Sequence, residues 1–185
     1  MLHTYLSMAS FSILFFFAAT GITLNHQDKL NGEPKVTRFT GTVDAAFVAP
    51  PAGNTIDQAQ IVAILRRAHG IKANVSDFRV DDDVVAVTFK GPGYAADAFI
   101  DRKTAAYDVT ESRMGWVAIV NDLHKGRDTG AVWAQVIDVS AVLMMLVSIT
   151  GLALIFFLYK RLALGMWMLG GGTAVSIAVY LWFVS

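Results

Sequence analysis

Residues 4–24, TYLSMASFSILFFFAATGITL, contain no charged side chain. A helix of about 20 apolar residues is about 30 Å long, the thickness of a bilayer's hydrocarbon core. Two more such runs close the chain, residues 137–159 and 162–184, and Asp138 is the one charged side chain in all three. The expected fold class is therefore a membrane protein with three transmembrane α-helices, at residues 4–26, 132–159 and 162–184. Charged residues make up 16% of the 185 and sum to a net charge of zero, against about 25% charged in a soluble domain. A soluble globule, a disordered chain and a nucleic-acid binder are all excluded. Residues 4–24 also outrun the apolar core of a signal peptide, about 7–15 residues, so the run reads as a true span.

Basic residues set the expected orientation. Of the 15 Lys and Arg, all but Lys160 and Arg161 fall between Lys29 and Arg127. Short basic loops stay in the cytoplasm, while loops beyond about 60 residues escape that rule. The N-terminus is then cytoplasmic, and the long segment and Ser185 lie outside.

The outer segment, residues 27–113 with a core at about 55–110, reads as an α+β domain inserted between the first two spans. It opens with a polar, proline-containing stretch over 27–54. Thr55-Ile56-Asp57-Gln58 fits a capping box, and Ile61, Leu65 and Ala68 follow on one helical face before the stop at Gly70. Strand-like runs come next at 75–80, 84–90, 94–101 and 105–110. Asp81-Asp82-Asp83, Gly91-Pro92-Gly93 and Arg102-Lys103-Thr104 separate them as turns. The expected domain is one helix on a three- to four-stranded antiparallel sheet. Its open face is left for the membrane surface, a loop or a partner. Residues 114–125 follow as an amphipathic helix, with Trp116, Ile119 and Leu123 apolar and Asn121, Asp122 and Lys125 polar. It is expected to lie at the outer interface, with Trp133 in the aromatic belt.

The chain has no cysteine and four histidines, His3, His26, His69 and His124, so thiolate metal sites and disulfides are excluded. His3 and His26 bracket the first span, about 35 Å apart as helix, and His124 approaches the second. Neutral imidazoles at helix ends are the usual axial ligands of membrane-bound haem. Lys125, Arg127 and Arg113 are placed to meet its propionates. Ala18, Ala19 and Gly21, with Gly170, Gly171 and Gly172, leave room for a flat macrocycle. Without a C-x-x-C-H site such a haem is b-type. The alternative is that these are ordinary interfacial histidines and helix-packing residues. His69, at a helix end, is expected to satisfy terminal carbonyls. Asp138 either holds a ligating histidine's free N–H or pairs with Lys125 or Arg127.

The strings Thr20-Gly21-Ile22-Thr23-Leu24-Asn25-His26, Asp122-Leu123-His124-Lys125-Gly126-Arg127-Asp128-Thr129-Gly130 and Ser148-Ile149-Thr150-Gly151-Leu152, with His3 and the α+β insert, resemble the PepSY-associated transmembrane proteins. The insert resembles the PepSY domain itself. The resemblance implies an inner-membrane haem b protein with His26 and His124 as iron ligands and His3 as a further candidate. It implies reduction of ferric iron or a ferric siderophore on the periplasmic face. Two ligands per haem and three membrane-near histidines point to a homodimer. The donor is quinol or a cytoplasmic reductase, since no dinucleotide fingerprint is present. Two rivals remain open: a cofactor-free, membrane-anchored PepSY regulatory module, and a haem subunit of a larger electron-transfer complex.

Overall fold

A computed structural model describes residues 2–48 and 55–184. The chain forms two units, one of residues 1–15 with 138–185 and the other of residues 16–137. Three helices are long and apolar enough to cross a membrane: α1 (Leu2–Asn25), α6 (Ala131–Ile155) and α7 (Leu162–Phe183). The second ends at Ile155, short of the expected residue 159, and residues 156–158 lead into a 3-10 turn at Tyr159–Arg161. Arg161 N–H donates to the Leu158 carbonyl at 2.8 Å, closing the connection to α7. No described residue of α7 is buried.

A one-turn helix α2 (Gln27–Leu30) follows α1 and leads to the sheet strand β1 (Lys35–Thr42). A second single turn, α3 (Ala45–Val48), and the helix α4 (Gln58–His69) come next. The strands β2 (Asn74–Val80), β3 (Val84–Gly91), β4 (Tyr94–Asp101) and β5 (Ala106–Arg113) form a meander. The sheet is antiparallel throughout, in the order β1-β5-β4-β3-β2. It has five strands, not three to four. β1 comes from the stretch read as polar loop, whose residues 49–54 lie outside the described ones. β1 is an edge strand paired only with β5, and its inward positions are Thr37, Phe39 and Gly41. One large apolar residue in three leaves almost no alternation to read.

The core lies on one face of this sheet. Val85, Val87 and Phe89 of β3, Ala96, Ala98 and Ile100 of β4 and Val109 of β5 are shut from solvent beneath Ile61 and Leu65 of α4. Side chains alternate along a strand, so the other face carries Arg38, Thr88, Asp97 and Thr110. Val36, 59% exposed, and Phe99, 52% exposed, are apolar exceptions on it. Such a polar face suits water, as antiparallel sheets allow.

α4 starts later than the capping-box reading placed it. Asp57, not Thr55, is the N-cap, its Oδ1 accepting from the N–H groups of Ala59 at 2.9 Å and Gln60 at 3.3 Å. Carboxylates and hydroxyls compete for such caps, and here the acid also suits the positive helix end. Ile56 and Ile61 hold the positions of a hydrophobic staple and both join the core. Ala68 is exposed rather than part of the buried face.

Gly41 is required by what covers it. Tyr107, its partner across β1 and β5, lies over the glycine, and a Cβ there would sit 2.4 Å from the Tyr107 hydroxyl oxygen. The same hydroxyl meets His69 Nε2 at 3.0 Å. His69 is thus bound to the sheet, not to its own helix's terminal carbonyls; the Gly70 N–H takes the Arg66 carbonyl instead.

Candidate functional site

α5 (Trp116–Lys125) differs most from its sequence reading. Its buried residues are Val117, Ala118, Asn121 and Asp122, while Trp116 is 70% exposed. The face expected to be polar and wet is packed. Asn121 Oδ1 accepts from the Thr23 hydroxyl of α1 at 2.7 Å, and its Nδ2 donates to Asn31 Oδ1 at 3.4 Å. Asp122 Oδ2 accepts the Gly93 N–H at 2.9 Å, and Oδ1 takes the Arg127 guanidinium at 2.7 Å. Gly93, in the left-handed region at φ 63°, holds the tip of the β3–β4 hairpin against Ile119. Buried polar groups that find partners hold elements together, where unsatisfied ones would cost about 1–3 kcal/mol each.

Three residues after Asn121, on the same helical face, His124 reaches back to α1. Its Nδ1 lies 2.7 Å from the hydroxyl of Thr20, a residue only 6% exposed. Its ring stands edge-on to Phe17 with centroids 5.2 Å apart. Gly21 leaves room beside it, since a Cβ there would lie 3.8 Å from His124 Cε1. His124 to Thr20 and Asn121 to Thr23 are two rungs between helices, each spaced by three residues.

His3 repeats the arrangement in the other unit. Its Nδ1 is 3.0 Å from the Thr150 hydroxyl of α6. A Cβ on the adjacent Gly151 would come within 3.1 Å of His3 Cε1. His26 is exposed at the start of α2, with no side-chain cap bond. Among the described residues no hydrogen bond or ring contact joins His26 to His124.

The cations expected beside a haem are partly engaged. Arg127 is taken by Asp122. Arg113 pairs with Glu111 and stands over the Tyr94 ring, 5.4 Å from its centroid. Burial, and then the Glu111 carboxylate, hold the Tyr94 phenol above its usual range. Among the described residues Lys125 reaches the Gln27 side chain alone, at 3.5 Å. Asp138 is exposed on α6 and forms no ion pair among the described residues. Trp133 does more than sit in a belt: its indole N–H donates to the Leu123 carbonyl at 2.8 Å, at the end of α5. Around Gly170, Gly171 and Gly172 an added Cβ would meet nothing within 4 Å.

Thr20, Thr23 and Thr150 carry these contacts, and sequence reasoning gave them no role. The signal was present as a repeat, Thr20-Gly21 in the first span and Thr150-Gly151 in the second. Among the described residues no three His, Asp or Glu side chains converge to hold a bare metal ion. The groups able to ligate are single imidazoles.

Three membrane-length helices with a five-stranded α+β domain between the first two in chain order define a membrane protein carrying a folded domain. The family model described as "Putative PepSY_TM-like" matches residues 1–185, and the chain belongs to that family. No curated protein and no solved structure matches it.

Proposed function

We propose that this protein is a b-type haem protein of a bacterial inner membrane that passes single electrons to ferric iron or a ferric siderophore on the periplasmic side. One observation carries the reading: the His124 ring is fixed through Nδ1 beside an apolar helix, with no hydrogen-bond partner on Nε2 among the described residues. His3 is held in the same manner. The residues fit the group. An imidazole anchored on one nitrogen offers the other to iron, and the glycine after each threonine lets the ring pack close against the helix. Such a haem exchanges one electron between its ferric and ferrous states. The chain's own part is to orient the imidazoles and to surround them with apolar side chains such as Phe17.

His26 is the third candidate ligand. It lies six residues beyond Thr20, about 9 Å farther along the helix direction, so His124 and His26 of one chain meet α1 at different levels. A homodimer supplies second imidazoles from a second copy. Lys125, the cation least engaged, is the first choice for a propionate. Arg127 and Arg113 would have to share theirs with Asp122 and Glu111, and Asp138 remains a candidate for holding a ligand's N–H. The donor is quinol or a cytoplasmic reductase. The basic pair Lys160-Arg161 between α6 and α7 supports a cytoplasmic N-terminus and a periplasmic domain.

The test is an absorption spectrum of the purified chain in detergent, before and after dithionite. A Soret band and a reduced α-band are expected, and His124→Ala should abolish or greatly weaken both, whereas His69→Ala should not. With neither band the haem reading fails. The second reading, a cofactor-free PepSY module that binds a regulated partner, would then stand. It is favoured by an open cleft of about 430 Å³ beside Tyr94, lined by Lys72, Pro92 and Arg113.

A further inference from the structure

We infer that Thr20 and Thr150 are positioning residues that lock His124 and His3 in one tautomer, with the proton on Nδ1 and a lone pair on Nε2. The inference comes from counting protons. A threonine hydroxyl has one hydrogen to donate and accepts with its lone pairs. Thr20 Oγ1 lies 2.6 Å from the Phe16 carbonyl oxygen, one turn back in its own helix. Two oxygens that close need a hydrogen between them, so the Thr20 hydroxyl is committed to Phe16. The same hydroxyl then receives from His124 Nδ1 at 2.7 Å, and Nδ1 must carry the proton.

Thr150 repeats the case. Its hydroxyl is 2.8 Å from the Leu146 carbonyl oxygen and 3.0 Å from His3 Nδ1. Back-bonding to the carbonyl four residues earlier is a common state of threonine in apolar helices, and it turns the hydroxyl into a fixed acceptor. A neutral imidazole protonated at Nδ1 has Nε2 as its only basic atom. In the neutral form both rings are therefore preset as nitrogen donors before anything binds. The exposed His26 has no such support.

The same pattern in two units, each with a glycine after the threonine, makes His3 the counterpart of His124. As a statement about ligands this rests on the haem reading; as a statement about protons it does not. The experiment separates the two. The full chain, labelled with 15N-histidine and kept haem-free in detergent, is examined by long-range proton–nitrogen correlation. His124 and His3 should show Nδ1 protonated and Nε2 bare. His26 should show the Nε2-protonated form favoured by a free imidazole in water. Thr20→Val should change the pattern of His124 alone and Thr150→Val that of His3 alone, while Thr20→Ser and Thr150→Ser keep it. Nε2-protonated or doubly protonated rings in the wild type would overturn the inference, even if a valine variant does not fold. So would valine variants that leave the pattern unchanged.

On haem-loaded protein, each valine variant should keep its Soret band and move the midpoint potential upward, because an imidazole that no longer donates from Nδ1 is a poorer donor to ferric iron. An unmoved potential would overturn the positioning role. If no haem binds while the tautomers are as stated, the proposed function fails and the proton assignment stands.

Discussion

Single residues differ here mainly in how closely they press on an imidazole. Gly151 and Gly21 both follow a bonded threonine, but a methyl on Gly151 would meet His3 Cε1 at 3.1 Å and one on Gly21 would meet His124 Cε1 at 3.8 Å. The first is tighter than most side-chain contacts, so the ring must yield by a few tenths of an ångström; the second is ordinary packing. Gly151→Ala is therefore expected to displace the His3 ring and shift its proton resonances, whereas Gly21→Ala leaves those of His124 nearly in place. Equal shifts from both variants would contradict these geometries. The two histidines were legible in the sequence as residues near membrane boundaries. Their hydroxyl partners were not, because Thr20 lies 104 positions from His124 and Thr150 lies 147 from His3. Nothing local marks a threonine whose work is done across such a distance.

Whole elements were readable to the degree that burial leaves a local pattern. The spans declare themselves by composition, since lipid asks only for length and apolarity. β3 and β4 carry dense apolar runs and were placed to within a residue. β1 was missed because an edge strand buries little. It still contributes the Gly41 and Tyr107 contact, and Gly41→Ala should destabilise the domain by about 1–3 kcal/mol through overpacking, seen as a lower midpoint in denaturant. An unchanged midpoint would mean that Tyr107 moves aside freely. α5 was misread for the opposite reason. Asn121 and Asp122 look like a solvent face, and only their distant partners make that face the buried one. Removing the Asp122 carboxylate with Asp122→Ala leaves the Gly93 N–H without its acceptor and Arg127 without its anion. The expected cost is about 1–3 kcal/mol, with faster hydrogen exchange at Gly93. Unaltered exchange there would show that α5 holds the hairpin by packing alone.

For the whole molecule the question is what surrounds a macrocycle, since three helices enclose little and α7 buries none of its described residues. If the haem is shared between copies, purified protein should run as a dimer, and His3→Ala should lower the haem content per chain. One haem per chain, unaffected by His3→Ala, would leave the dimer without support. Pre-reduced protein should also oxidise on mixing with a ferric chelate, releasing ferrous iron; no oxidation would favour a subunit that hands its electrons to another protein. Two adjacent residues of α5 splice the first apolar helix to the sheet: Asn121 is tied to Thr23 of α1, and Asp122 to the hairpin at Gly93. Neighbours on a helix point about 100° apart, so the two bonds grip the rod from different sides. α5 cannot roll about its axis without breaking both. Torque applied to the sheet is passed through this joint to α1 at Thr23, and the same joint sets the compass bearing of the His124 ring.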